Sequence, residues 1–354
     1  MEDRRAFLKR LVPRLIGLAA PLSLGMSLVQ PLLAQTSAPP PAPPLPFDDP
    51  KYRDLFKELS QKHQFDPAGL RALFEKVALQ PEIIEKFERP PEILPYYEYR
   101  KRFINEDLIL LSRAYLNENV RLFQNVEDAF GVQKEIICSI LAIETKFGQQ
   151  GIEKYRAFDT LNTAFSLYPR RELFYRDELI AYLLLCREEG IDPFSVNSSY
   201  AGAFGAPQFM PSSFRKYAVD YDKDGKRDLW RSKGDIFASV ANYLKVFRWR
   251  PNGLTRLPAR LANDSPELRK SVGLGIRKTF PVSAATQMGV HIPLQSPAPA
   301  EDEVSFAFYE PEQGVETLLA LFENFRAITR YNFSVNYALT VTVLSEVLSK
   351  KEVS

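Results

Sequence analysis

The chain has 354 residues, 45% of them hydrophobic and 25% charged, an ordinary globular composition long enough for two or three domains. Lys and Arg total 46 and Asp and Glu 44; five of the former and two of the latter fall in residues 1–34, so the remainder carries 41 against 42 and offers nucleic acid no basic face. The two histidines, His63 and His291, have no partner at metal spacing, and there is no HExxH, CxxC, Walker loop or GxSxG, which leaves acid chemistry to carboxylates.

In chain order, residues 1–34 read as an export signal. MEDRRAFLKRLVPR carries the charge and LIGLAAPLSLGMSLVQPLL (15–33) carries none. Gly and Pro interrupt the apolar run, which suits a signal peptide better than a stable span; an uncleaved membrane anchor is the alternative. RRAFLK at 4–9 fits a twin-arginine export motif, with the basic region of a general secretory signal as the plainer reading and cleavage after Ala34 or Ala38. The expected location is periplasmic. Residues 35–50 form a Pro-rich linker, in which SAPPPAPPLP (37–46) favours polyproline II.

From residue 51 the apolar spacing is helical. KYRDLFKELSQKH, NEDLILLSRAYLNENVRLFQNVEDAF and ELFYRDELIAYLLLCREEG each carry one apolar stripe, and PPEILPYY (90–97) breaks the pattern inside a helical part spanning about 51–130. Cys138 and Cys186 lie in the helical settings ICSIL and YLLLCRE and read as core residues, with a disulfide between them as the alternative in an oxidising compartment. Residues 252–310 turn to Pro, Gly, Ser and short runs such as IRKTFPVSA and EVSFAFYE, which predicts a small β-rich insertion. Helical spacing returns in GVETLLALFENFRAI (314–328) and near the C-terminus. The predicted class is α+β, mainly α.

One carboxylate stands out. In KEIICSILAIETKFG, Ile136, Ile140, Ile143 and Phe147 mark one helix face, and Ile137, Leu141 and Glu144 the adjacent stripe. Glu144 thus occupies a hydrophobe's place in the last turn before Gly148, a helix stop. The negative end of the helix dipole and apolar neighbours both raise a carboxyl pKa, as a general acid requires. A partly exposed Glu at a frayed helix end is the plainer reading.

DYDKDGKRD (220–228) sets Asp220, Asp222 and Asp224 at alternate positions before Gly225, the opening of a calcium loop. The Lys226 carbonyl supplies the next oxygen and Asp228 falls at the position often bridged by water. Arg231 stands where a bidentate Glu belongs and cannot ligate, so Asp235 closes the cage if the loop is long. A solvated acidic turn is the plainer reading.

AIETKFG, YPRRELF (168–174), NSSYAGAFGAPQFMPSSFRKYAVDYDKDGKRDLW (197–230), SVANYLK and ITRYNFS (328–334), in that order, resemble the lytic murein transglycosylase B family over most of residues 50–350. The resemblance implies a lysozyme-like catalytic core (about 131–250 and 311–350) with an N-terminal helical domain, an EF-hand-like calcium loop and a small β domain. It implies cleavage of the β-1,4 bond between N-acetylmuramic acid and N-acetylglucosamine with formation of a 1,6-anhydromuramoyl end. Glu144 matches the family's single catalytic Glu. Ser199, Tyr200, Gln208, Tyr243, Tyr331, Asn332 and Tyr99 match cleft positions that hydrogen-bond sugar hydroxyls or N-acetyl groups, or offer a stacking face. Gly202 and Gly205 are places where the backbone approaches substrate, with ordinary turn glycines as the alternative. The implied partner is the peptidoglycan glycan strand, with proteins of wall synthesis or division beside it; no catalytic cofactor is implied, only structural calcium. The chain departs from the family at Pro207, where Gly usually precedes the Gln, at Arg231, and by an extra residue before Asp235. No second Asp or Glu stands in the cleft motifs, which favours a one-carboxylate route closed by the substrate's own 6-hydroxyl. A hydrolytic muramidase and a non-catalytic peptidoglycan-binding or scaffold protein are the alternatives.

Overall fold

The computed structural model describes residues 45–88, 94–149, 151–294 and 302–350; the export signal, most of the Pro-rich linker and the Pro90–Pro91 breaker lie outside them. Helices begin where the chain supplies caps. Asp49 accepts the Lys51 amide at 3.0 Å to start Pro50–Gln61, whose Tyr52, Leu55 and Leu59 are buried. Asn105 accepts the Leu108 amide at 3.0 Å to start Glu106–Glu118. The stretch 105–130, readable as one helix, is two: at Asn119 the backbone leaves helical geometry (φ −114°, ψ 19°), the side chain returns to the Tyr115 carbonyl at 2.8 Å, and Val120–Phe130 sets off anew.

The helix Lys134–Thr145 is buried from Ile136 to Ile143 and packs against Glu106–Glu118 and the C-terminal helix Val335–Ser349. Ala157–Leu167 packs on Glu172–Glu189, and Lys233–Val246 on Val120–Phe130, completing one helical core. Cys138 and Cys186 are free thiols inside this core. Among the described residues no helix is long and apolar enough to cross a membrane.

A short pair, β1 (Tyr155–Arg156) and β2 (Asn197–Ser198), ties the loops around the helical core. Five further strands, β3 (Arg256–Leu261), β4 (Phe280–Pro281), β5 (Val290–His291), β6 (Glu303–Glu312) and β7 (Val315–Leu321), form an antiparallel sheet in the order β4-β6-β7-β3-β5. The β-rich region therefore extends to Leu321, and the helical reading of 314–328 is corrected: only Glu323–Tyr331 is helix. The reason is double burial. Leu318 and Ala320 join a second apolar cluster with Phe280, Val304 and Phe306, while Leu319 and Leu321 face the helical core. A strand covered on both sides loses its alternation and reads as an unbroken apolar run.

Candidate active site

The helix Lys134–Thr145 delivers Glu144 half-buried at its C-terminal end. Gly148 is not the residue that stops it. Lys146 (φ 48°) and Phe147 (φ 62°) already turn left-handed, and their amides fold back to the carbonyls of Ala142 and Leu141 at 3.1 Å each. Non-glycine residues in this region carry strain that the surroundings must hold. Phe147 is held by stacking on Tyr115, ring centroids 4.0 Å apart. Thr145 bridges the turn and the opposite wall: its hydroxyl accepts from the Gly148 amide and donates to the Ala206 carbonyl, both at 2.8 Å.

Tyr337, on the C-terminal helix, donates its hydroxyl to Glu144 Oε1 at 2.6 Å. It is 2% exposed, and burial together with the Glu144 carboxylate holds its phenol well above the usual range, so it remains a donor. Tyr331 lies nearly parallel to Tyr337 (centroids 6.5 Å, 11°) and donates to the Pro207 carbonyl at 2.5 Å. Tyr243 packs on Tyr331 at 4.9 Å and donates to the Arg330 carbonyl at 2.5 Å. Phe209 closes this aromatic group against both tyrosines.

The facing wall is a loop between Phe204 and Phe209, which bridge as an antiparallel pair. Gln208 sits in it at φ 52°, with its amide on the Gly205 carbonyl at 3.0 Å. Gly202 and Gly205 approach protein closely: a Cβ at Gly202 would meet Leu161 Cδ2 at 2.6 Å, and one at Gly205 the Leu229 Cβ and carbonyl oxygen at 3.0 Å, each at positive φ. Ser199 shapes the preceding turn, its hydroxyl accepting the Ala203 amide at 3.3 Å. The buried Glu178 accepts the Ser212 amide (2.8 Å) and hydroxyl (2.6 Å), fixing the MPSS segment after the loop. Pro207 is buried, and the carbonyl it offers Tyr331 is the one a Gly would offer.

Glu144, Tyr331, Tyr243 and the loop bearing Gln208 are thus brought together, with Asn332 next in chain to Tyr331. Tyr200 stands against Phe87, ring centroids 5.5 Å apart. Tyr99 is 2% exposed beside Phe103 and Tyr337, behind the surface rather than on it. Three participants escape a reading of the sequence: Tyr337, Thr145 and Glu153. Glu153 stands outside the cleft motifs in sequence but reaches them in the fold, for it accepts the Gly205 amide and, at 3.4 Å, Gln208 Nε2. Burial raises its pKa, against the lowering effect of those two donors.

The acidic loop gathers Asp220, Asp222 and Asp235, with one oxygen from each within 4.8 Å of the others. Asp235 is 1% exposed and its two oxygens accept the Tyr221 and Asp228 amides at 2.8 Å. Burial raises its pKa, those amides lower it, and Asp222 and Asp220 raise it again. Asp224 accepts the Lys226 amide (2.9 Å) and Asp228 the Trp230 and Arg231 amides (2.9 Å). Three hard anionic oxygen donors, one of them buried, fit a divalent cation of the calcium type. The loop also reaches the cleft, because the Leu229 carbonyl accepts the Ala206 amide at 2.8 Å.

Residues 48–346 match the family model described as the transglycosylase SLT domain. The chain belongs to this family. It is 29% identical over 312 residues to membrane-bound lytic murein transglycosylase B of Escherichia coli (strain K12), covering 85% of this chain and 83% of that one. Among solved structures it is similar to the catenated lytic transglycosylase SltB1 from Pseudomonas aeruginosa, with a TM-score of 0.78, 33% identity, and coverage of 85% of this chain and 97% of that one. It is also similar to the Escherichia coli lytic transglycosylase Slt35 in complex with calcium, with a TM-score of 0.74, 29% identity, and coverage of 87% and 96%.

Within this transglycosylase fold, Tyr337 tests how far Glu144 depends on its donor. Tyr337→Phe keeps the ring and removes one hydrogen bond to a carboxylate, worth about 1.5–3 kcal/mol. The expected result is a fall in kcat of about tenfold to a hundredfold with KM little changed, and an unfolding midpoint lower by roughly 2–5 °C because the bond is already present in the free fold; an unaltered kcat would separate Tyr337 from turnover.

Proposed function

We propose that this chain is a peptidoglycan lytic transglycosylase in which Glu144 is the single acid and base. The observation that carries the reading is Glu144 held by Tyr337 at a buried helix end, facing the Gln208 loop, in a chain of the transglycosylase SLT family. Glu144 gives its proton to the glycosidic oxygen as the C1–O bond breaks, leaving an oxocarbenium-like centre on the muramoyl ring. The 6-hydroxyl of the same ring then bonds to C1 and its proton passes to Glu144, which restores the acid. Intramolecular attack takes the place of a bound water. Ser199, Tyr200, Gln208, Tyr243, Tyr331 and Asn332 border the strand, and Tyr99 supports Tyr337 from behind.

Asp220, Asp222 and Asp235 would hold a structural calcium ion, with Asp224, Asp228 and the Lys226 carbonyl shaping its loop; the bound ion would offset their mutual repulsion. Slt35 in complex with calcium supports this assignment. The export signal read in residues 1–34 and a murein substrate support a periplasmic location, with an uncleaved membrane anchor as the alternative.

Glu153 keeps a second reading in view, since a hydrolase employs a second carboxylate to activate water. Mass spectrometry of fragments released from purified peptidoglycan separates the two. Anhydromuramoyl ends are expected; reducing ends would establish a muramidase, and binding without release would establish a non-catalytic protein.

A further inference from the structure

Gln208 is half-buried on the cleft wall, and its backbone φ of 52° fixes where its side chain leaves the loop. Its Nε2 donates to the Gly205 carbonyl at 3.1 Å and to the Glu153 carboxylate at 3.4 Å. The carbonyl only accepts, and so does Glu153 as a carboxylate. Rotating the amide by half a turn would set Oε1 against two oxygens at once, so the pair decides which end of Gln208 looks outward. Among the described residues no donor reaches Gln208 Oε1. Glu153 itself is held by the Gly205 amide, one residue from the Ala206 carbonyl that Thr145 clamps beside Glu144.

We propose that Glu153 is a positioning residue that locks the Gln208 amide with its oxygen toward the cleft, so that Gln208 is held ready to accept the acetamido N–H of an N-acetylated sugar. The reasoning concerns donors and acceptors. A sugar hydroxyl donates and accepts, and adapts to either end of an amide. An acetamido N–H only donates, and is rejected by an outward-facing NH2. Locking the amide therefore keeps an acceptor facing the strand, where a flipped amide would offer the acetamido N–H only donors. This inference rests on the reading of the site as a glycan cleft.

The test uses the full-length protein, its Glu153→Ala and Glu153→Gln variants, and the same changes in a Gln208→Ala background, with soluble N-acetylglucosamine–N-acetylmuramic acid strands as substrate. Glu153→Ala removes the acceptor and is expected to lower kcat/KM about tenfold, the order of one hydrogen bond. The loss should fall mainly on KM. Glu153→Gln retains an acceptor oxygen and should stay within about threefold of the parent. In the Gln208→Ala background, Glu153→Ala should add nothing, because the residue it acts through is gone. A Glu153→Gln variant as inactive as Glu144→Gln would make Glu153 an acid or base and overturn the proposal. Losses that multiply in the double variant would overturn it as well. A readout independent of turnover is the Gln208 side-chain amide pair in nitrogen–proton NMR spectra. These signals should move in Glu153→Ala and hold in Glu153→Gln. Unmoved signals in Glu153→Ala would overturn the proposal even if turnover fell, whereas an inactive parent protein with the expected spectra would count against the glycan cleft alone.

Discussion

Glu144→Gln is expected to abolish release of soluble fragments while leaving the fold and binding to insoluble peptidoglycan intact. The amide is nearly isosteric with the carboxyl, and its oxygen can still accept the Tyr337 hydroxyl that now lies 2.6 Å from Oε1. Packing around the helix end, including the stacked Phe147 and Tyr115, is untouched. What disappears is the transferable proton. General acid–base catalysis contributes about 10²–10⁴-fold, and more where one group serves both steps. Co-sedimentation with sacculi would report binding, and chromatography of released muropeptides would report turnover. Parental turnover by the variant would remove Glu144 from the mechanism.

Calcium is expected to raise the unfolding midpoint without being needed for bond cleavage. An ion bound only by the folded state adds about 2.7 kcal/mol at a hundredfold excess over its dissociation constant. For a domain of some 300 residues that is a shift of about 4 °C. Asp222 and Asp235 separate two contributions. Asp222 is exposed, so Asp222→Ala should erase the calcium-dependent shift and change little in chelator. Asp235 also anchors the Tyr221 and Asp228 amides, so Asp235→Ala should lower the midpoint even in chelator. Thermal unfolding with calcium and with chelator measures both. No shift in the parent protein would refute the metal site. Loss of all activity in folded, metal-free protein would show that the Leu229–Ala206 contact makes the ion part of the working cleft.

What could be read from the chain alone follows the range of the interactions. Glu144 stands out as a candidate because a charge in an apolar stripe is a local anomaly, and the Asp220–Asp222 spacing because the opening of a calcium loop is a local pattern. Val315–Leu321 was misread because burial on both faces erases the period that distinguishes strand from helix. The helix stop was placed at Gly148 because glycine is the usual left-handed residue, whereas Lys146 and Phe147 are forced there by stacking and capping. Tyr337 sits where an apolar helix face expects an aromatic core residue, and only its partner across the fold reveals its hydroxyl's use. Glu153 lies in QQGIEKYR, a stretch without period, and its contacts belong to a loop some fifty residues downstream. Local chemistry is legible from sequence; contacts that close over long separations are not.

The bond between Tyr337 and Glu144 joins residues 193 apart in the chain. Its donor lies on Val335–Ser349, synthesised long after the helix that bears Glu144. A product cut short by premature termination or by proteolysis ahead of residue 337 would carry Glu144 but not the hydroxyl that steadies it, and would leave bare the flank of the helix on which Val335–Ser349 packs. An enzyme that acts on the cell wall would thus reach its working state only once Val335–Ser349 has joined the fold.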